Sequence, residues 1–136
     1  MSESEPPNIS QPQDSTMQSL SEDFEENLQR FFTEAADCGC VWGLEGDQGW
    51  ALAPSEKYSE TEVMPFWSQP EFAQIHCKDE WRDYQPVAVS LEEFLEDWLP
   101  GMHNDVYLVG INWNAELEGL EMEPLDLLTE FEQLLS

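Results

Sequence analysis

Hydrophobic residues at three- and four-residue steps predict amphipathic helices near both ends of the folded region. The first pattern starts at Ser21 and ends near Gly39, with acidic residues between the apolar ones. The last pattern begins at Pro124, a residue that helices tolerate in their first turn. Its apolar side chains are Leu127, Leu128, Phe131, Leu134 and Leu135. Each helix therefore has one apolar face to bury.

Two capping-box patterns predict further helices in the middle of the chain. In each, a Ser stands three residues before a Glu, so that the two side chains can bond backbone N–H groups of the first turn. The first box starts at Ser68 and predicts a helix over residues 70–81. The second starts at Ser90 and predicts a helix that Pro100 and Gly101 end.

Five short apolar segments between the helices predict β-strands, at residues 41–44, 50–53, 63–67, 86–89 and 106–111. The first two flank a turn rich in Gly and Asp, which predicts a β-hairpin. Pro65 lacks a backbone donor, so the third strand is expected at an edge or a bulge. The fifth is rich in β-branched residues and is expected to be central. The predicted fold class is α+β, a single small domain with a mixed sheet of about five strands and about four helices.

The beginning of the chain differs in composition from the rest. Residues 1–20 combine Pro with Ser, Gln, Asn and Glu and contain no aromatic residue. This composition predicts a disordered acidic and polar tail over residues 1–20, followed by a single domain over residues 21–136. A chain of 136 residues, 40% of them hydrophobic, suits one hydrophobic core.

The charge is strongly one-sided. Thirty Asp and Glu residues stand against 4 Lys and Arg, and the formal net charge is −26. Nucleic-acid binding depends on Lys and Arg, so we expect no direct contact with DNA or RNA. An anionic membrane surface would repel the chain in the same way. We therefore expect a protein partner, and charge favours a basic one; acidity that serves solubility alone is the alternative.

Three features predict a cytoplasmic protein. No apolar run approaches the roughly 20 residues of a membrane-spanning helix. The N-terminus lacks the basic and apolar regions of a signal peptide. The number of cysteines, three, is odd, which suits a reducing compartment better than a disulfide framework.

The candidates for metal binding and catalysis are weak. Cys38, Cys40, His76 and Cys77 supply a zinc-type donor set, but their spacing is not that of zinc knuckles. Ordinary buried thiols are therefore expected. His103 lies in a polar turn with nothing to place it beside a nucleophile. Acidic pairs are too numerous to identify a hydrolase. We predict no catalytic residue, no metal and no cofactor, which favours a non-enzymatic role and leaves enzymatic activity open.

Four residues are candidates for contact with a ligand or partner. Trp67 and Trp113 lie at the ends of predicted strands, where exposed rings can act as anchors, although most Trp residues are expected in the core. Asn112 and Asn114 place side-chain oxygens beside Trp113. Their spacing fails the calcium-loop pattern, and capping of a turn is the alternative role.

Four short motifs follow one another along the chain: VWGL from Val41, MPFWS from Met64, PVAV from Pro86 and VGINWN from Val109. Together they resemble a bacterial family known as domain of unknown function 2750, from about residue 24 to the C-terminus. This resemblance implies no activity. The MPFWS step and the Asn-containing strand end are also similar, more distantly, to the N-terminal domain of SseB-like proteins, where Thr and Pro occupy the places of Trp67 and Trp113. That similarity implies a small mixed-sheet domain used for binding.

The residues and the resemblance together favour a bacterial, cytoplasmic, non-enzymatic and acidic protein-binding module, of the regulator, immunity or adaptor type. One alternative is a small-ligand binder or enzyme that uses a Trp-lined pocket near Asn112 and Asn114. Another is a mimic of DNA charge, which requires acidic residues along one face at phosphate-like spacing.

Overall fold

Two small β-sheets and the helices packed against them form the fold in the computed structural model, which describes residues 20–47 and 49–135. The predicted α+β fold class is confirmed. The tail predicted over residues 1–20 lies outside the described residues except for its last position.

The helices and strands have the following bounds. The helices are α1 (Phe24–Cys38), α2 (Pro70–Gln74), α3 (Leu91–Glu93), α4 (Leu99–Asn104) and α5 (Pro124–Leu135), with a 3₁₀ turn at Asp79–Trp81 and a π turn at Phe94–Trp98. The strands are β1 (Cys40–Gly46), β2 (Gly49–Trp50), β3 (Ala53–Pro54), β4 (Glu62–Phe66), β5 (Gln85–Ser90), β6 (Leu108–Ile111) and β7 (Leu120–Met122). Because α3, the π turn and α4 are contiguous, residues 91–104 form one helical run.

The strands divide into an antiparallel sheet in the order β2-β1-β5 and a mixed sheet in the order β3-β4-β6-β7. Only β4 and β6 run parallel within the described residues. Trp42 and Trp67 exchange two backbone hydrogen bonds of 2.8 Å and so connect the two sheets. The sequence predicts one sheet of about five strands. The difference arises because residues 50–53 are divided between β2 and β3, and because β7 follows a polar loop without a strand pattern.

Helix α1 forms where the sequence predicts it, because both of its ends carry local signals. The side chain of Asp23 accepts the N–H groups of Glu25 and Glu26 at the start of the helix. At the other end Gly39 adopts φ 78°, a left-handed conformation that favours glycine, and its N–H bonds the carbonyl of Ala35.

The helix predicted over residues 70–81 forms only in part, since α2 ends at Gln74 and a turn precedes the 3₁₀ segment Asp79–Trp81. Ser68 does not cap it. Gln69 is the N-cap and makes no side-chain bond there. The Ser68 hydroxyl donates instead to a carboxylate oxygen of Glu34, at 2.6 Å. This prediction was wrong because the local capping signal competes with a tertiary partner.

The helix predicted from the second capping box begins where the sequence predicts it, but the predicted end at Pro100 and Gly101 is wrong. The Ser90 hydroxyl accepts the N–H of Glu93 at 3.1 Å. The helical run then passes through Pro100 and Gly101. In a regular α-helix the proline ring would clash with the carbonyl four residues earlier. Here the Leu99 N–H bonds the carbonyl of Phe94, five residues back, and a new α-helical segment begins, so that Pro100 lies in a first turn.

Pro65 lies in β4, which is an interior strand of the mixed sheet. The edge position predicted for this strand is therefore wrong. Strand β3 pairs with β4 only at Glu62 and Val63. Successive residues of a strand direct their N–H groups to opposite edges, and Trp67 directs its own toward Trp42. Pro65 therefore faces the gap between β3 and Trp42, where the ladder lacks a partner strand. The prediction that β6 is central is confirmed.

Two groups of apolar side chains form the core. The first lies between the helices and the sheets, and its Phe31, Phe66, Phe94 and Phe131 rings meet edge-on with centroids 4.9–6.5 Å apart. Such contacts add to the burial of area. The second group includes Trp67, Trp81 and Trp113. It lies under the concave surface described below.

Cys38 and Cys40 form a disulfide across Gly39, with Cα atoms 5.4 Å apart. The expectation of ordinary buried thiols was therefore wrong for this pair, because α1 and β1 meet at a tight turn that brings the two side chains together. Cys77 is free and partly buried, and its burial raises the pKa of the thiol above the ordinary value. None of the helices in the described ranges has the length and apolarity needed to cross a bilayer.

Candidate functional site

A cleft of about 830 Å³ opens at one end of the mixed sheet. Three stretches of chain form most of it: residues 52–56 around β3, residues 76–81 before β5, and residues 113–121 from the end of β6 into β7, with Phe24 of α1 added to them. Its apolar lining consists of Phe24, Leu52, Ala53, Pro54, Trp81, Trp113, Ala115 and Leu117. A concave apolar surface of this size suits a bound group better than a flat surface does.

The polar lining of the cleft is almost entirely acidic. Its carboxylates are those of Glu56, Asp79, Glu80, Glu116, Glu118 and Glu121, and the basic residues of its lining within the described ranges are Lys78 and His76. Like charges around a concave, low-dielectric wall reinforce one another's potential. The cleft therefore attracts cations.

Glu121 differs from the other five acidic residues because it is buried and holds the cleft wall together. Its carboxylate accepts the Ser55 hydroxyl at 2.6 Å and the Glu56 backbone N–H at 2.8 Å. Lys57 donates its ammonium to the Glu121 backbone carbonyl at 3.1 Å. The side chain of Glu121 thus fixes the loop after β3 against β7, while the other five acidic residues are exposed to solvent.

Asn114 shapes the loop that forms one wall of the cleft. Its side-chain oxygen accepts the backbone N–H groups of Glu116 and Glu118, at 3.0 and 3.2 Å. A short amide side chain is well suited to such a turn. Asn114 is 2% exposed, and its amide also donates to the Ser21 carbonyl at 3.2 Å. It therefore positions the acidic loop from beneath.

Asn112 lies at the end of β6 and joins three parts of the chain. It has φ 45°, a left-handed conformation that Asn tolerates better than most residues. Its side-chain oxygen accepts the Ser68 N–H at 2.9 Å, and its amide donates to the Asn27 carbonyl at 3.0 Å. The residue is 0% exposed. Its contacts are thus with the protein itself.

Both candidate Trp residues are buried. Trp67 is 0% exposed and donates its indole N–H to the Trp113 carbonyl at 2.9 Å. Trp113 is 5% exposed, donates to the Leu120 carbonyl at 3.1 Å, and lines the cleft. The structure therefore brings Trp113 to the cleft and places Trp67, Asn112 and Asn114 behind it. Contact of these four residues with a ligand or partner stays a prediction.

His76 also lines the cleft, although it is not among the four residues that the sequence predicts for contact with a ligand or partner. Its ring stacks on Trp67 with centroids 5.2 Å apart and an interplanar angle of 28°. It is 3% exposed, and its Nε2 has no hydrogen-bond partner. Burial lowers the pKa of His76 below 6.5, the Lys78 charge acts in the same direction, and a hydrogen bond to the Trp113 backbone opposes both.

No three or more His, Cys, Asp or Glu side chains are placed to hold a metal ion in the part of the chain that the structure covers. The cysteines of the disulfide cannot ligate metal as thiolates while they are bonded to each other. The cleft is thus described by its carboxylates, its aromatic walls and one buried imidazole.

Comparison with known proteins places the chain by family. No curated protein and no solved structure matches it. The more distant similarity to SseB-like proteins therefore stays an expectation from the motifs. A family model matches residues 28–131, which include all four motifs of the resemblance. The chain belongs to the family described as Protein of unknown function (DUF2750).

Proposed function

We propose that this protein is a non-enzymatic binding module that receives a positively charged segment of a partner protein in its acidic cleft. The observation that carries the proposal is the combination of five exposed carboxylates with an apolar, Trp-containing floor in one concave surface. The partner is basic, because the cleft repels anionic groups.

The charge of the whole chain supports the same partner. A formal net charge of −26 attracts a basic protein over distances up to the screening length, and the cleft concentrates part of that charge. Electrostatic attraction of this kind raises the rate of association and makes it sensitive to salt. Binding through this cleft should therefore weaken as salt is added.

The apolar floor suits the hydrocarbon part of a basic side chain. Lys and Arg side chains bury their methylene stems against apolar surface while the charged end stays near carboxylates. Trp81 and Trp113 provide such a surface in the cleft, and indole faces also attract cations. A basic side chain with an aliphatic stem thus matches both parts of the lining.

A small organic cation is the second candidate, because the volume of about 830 Å³ is also that of a small-molecule site. An enzyme that acts on such a cation would use the same surface. The two candidates differ in whether the flanking residues of a polypeptide add affinity. A protein that mimics DNA charge would have a partner that also binds DNA. Duplex DNA would then displace this protein from that partner.

The test is calorimetric titration of the full chain with a Lys-rich peptide and with the same peptide in which every Lys is Glu. We expect the Lys peptide alone to bind, with affinity that falls as salt rises. The variant Glu80→Gln, Glu116→Gln, Glu118→Gln keeps shape and removes three charges from the cleft. It should weaken binding by roughly tenfold at low salt, because each exposed charge contributes about 0.5 kcal/mol.

The matched control removes three exposed charges elsewhere, at Glu92, Glu130 and Glu132, on α3 and α5. It should change the affinity by about twofold or less, since screening limits distant charges. Equal losses in both variants would mean that only net charge matters and would overturn the cleft as the binding site.

A further inference from the structure

His76 lines the cleft and carries a buried ring nitrogen without a hydrogen-bond partner among the described residues. Its side chain is 3% exposed, and the unpartnered atom is Nε2. Nearly all buried polar side-chain atoms in folded proteins are hydrogen-bonded, so Nε2 is suited to accept a donor, and the cleft that His76 lines is the side from which a donor can approach. This observation is independent of the acidic residues around it.

The Trp113 backbone acts on the His76 ring as a hydrogen-bond acceptor and so raises its pKa, against the larger effect of burial. A backbone carbonyl can only accept, so this interaction favours a protonated nitrogen on the side of the ring away from the unpartnered Nε2. A neutral imidazole that donates from one nitrogen accepts at the other. Desolvation and Lys78 keep the pKa of the ring low, so this neutral form is the one present at pH 7. Nε2 is then a bare acceptor.

We infer that the cleft takes a primary ammonium group, of the kind a lysine side chain carries, and that this group donates an N–H to Nε2 of His76. The inference rests on the proposed function, which supplies the cation. It goes further, because it states which cation is recognised and by which atom.

The geometry of its donors distinguishes the ammonium from other cations at a single imidazole nitrogen. A guanidinium presents a planar fork that matches paired acceptors, whereas an ammonium has three rotatable donors that can serve one imidazole nitrogen and neighbouring carboxylates together. A quaternary ammonium has no N–H and leaves Nε2 unpartnered. The cleft offers one imidazole acceptor, with Asp79 and Glu80 in the same wall segment.

The probes that test this are butylammonium and butyltrimethylammonium, which differ in their N–H groups. We expect the wild-type chain to bind butylammonium about fivefold or more tightly than the trimethylated form, since loss of one charge-assisted hydrogen bond has at least this effect. His76→Phe keeps an aromatic ring against Trp67 and removes the acceptor, so it should abolish the preference. His103→Phe, at an exposed position of α4, is the control that should retain it.

A second measurement does not depend on the folding of a variant. In the wild-type chain, the ¹⁵N resonance of His76 Nε2 should move toward that of a hydrogen-bonded acceptor when butylammonium is added, and should not do so with butyltrimethylammonium. Equal affinity for the two probes, or an unmoved Nε2 resonance, would overturn the inference and leave the proposed function standing. Failure of both probes and of the Lys-rich peptide to bind would overturn both proposals.

The same titrations distinguish the source of the ammonium. A Lys-containing peptide that binds more tightly than butylammonium, with a preference that disappears in His76→Phe, assigns the group to a protein partner. Tighter binding of the free amine than of the peptide would overturn the assignment to a lysine side chain and indicate a small amine.

Discussion

The side-chain oxygen of Asn112 accepts the backbone N–H of Ser68 across 2.9 Å and so joins the ends of the parallel strands β6 and β4. The Asn112 amide reaches in the other direction to the Asn27 carbonyl on α1. One buried side chain therefore fixes a helix and two strands directly behind the cleft. An amide can do this because it both donates and accepts.

Replacement of Asn112 by Ala should lower the free energy of unfolding by about 2–4 kcal/mol. The change leaves the Ser68 N–H and the Asn27 carbonyl without their buried partner and puts Ala at φ 45°. Urea unfolding of the variant measures the effect. Asn104→Ala, at an exposed position of α4, should change stability by no more than about 0.5 kcal/mol. A loss below about 1 kcal/mol in Asn112→Ala would contradict this assignment.

The lowered pKa of His76 should make stability fall as the solution becomes more acidic than pH 6.5. Between pH 6.5 and the lower folded-state pKa, the unfolded chain binds a proton that the folded chain excludes. Acidification through this window therefore favours unfolding. The comparison is the difference in unfolding free energy between wild type and His76→Gln at pH 7.5 and at pH 5.5.

We expect the wild type to lose stability relative to His76→Gln on going to pH 5.5. A difference between wild type and His76→Gln that is independent of pH would show that His76 is not desolvated in the folded state.

Replacement of Gly110 by Ala should lower the free energy of unfolding, whereas replacement of Gly101 by Ala should raise it. A Cβ added to Gly110 would lie 2.7 Å from the Trp113 ring, which is itself fixed by its bond to Leu120. Gly110→Ala should therefore destabilise the fold by about 1–3 kcal/mol. A Cβ at Gly101 meets no atom within 4 Å, and Ala favours a helix, so Gly101→Ala should stabilise by about 0.5–1 kcal/mol. Thermal unfolding measures both, and a tolerated Gly110→Ala would contradict the packing against Trp113.

The Cys38–Cys40 disulfide should contribute no more than about 2 kcal/mol to stability, because it closes a loop of only three residues. Urea unfolding with and without a reducing agent measures this contribution. Intact mass after alkylation under native conditions should show the pair protected. Cys77→Ser serves as the control, since Cys77 is free and should leave the effect of the reductant unchanged. A pair that alkylates without reduction would contradict the disulfide.

The elements that the sequence predicted well are those whose signals are local. Asp23 and Gly39 bound α1 through bonds within a few residues, and the Ser90 cap works in the same way. Ser68 carries an equally good local signal, but its hydroxyl bonds Glu34, 34 residues away. The π turn was not predictable either, because it resolves a conflict between the helix and Pro100 that only the packing of both helical segments decides.

The candidate site was predictable only in part, because its walls come from three separated stretches of sequence. Trp113 and the neighbouring Asn residues could be recognised from their positions after β6. His76 could not be recognised in this way, because its role depends on contacts with Trp67 and with the Trp113 backbone that are formed only in the fold. The acidic residues of the lining could not be predicted either, because the sequence contains 30 Asp and Glu residues and does not show which of them lie together.

The π turn at Phe94–Trp98 also sets the rotational phase of the helical run over residues 91–104. A π turn accommodates one residue more than the α-helical hydrogen-bonding pattern does. Removal of that residue would rotate everything after it by about 100° around the helix axis. Leu99 and Met102, which now face the same core as Phe94, would turn toward solvent. The extra residue thus aligns two apolar stripes that a uniform helix would present in different directions.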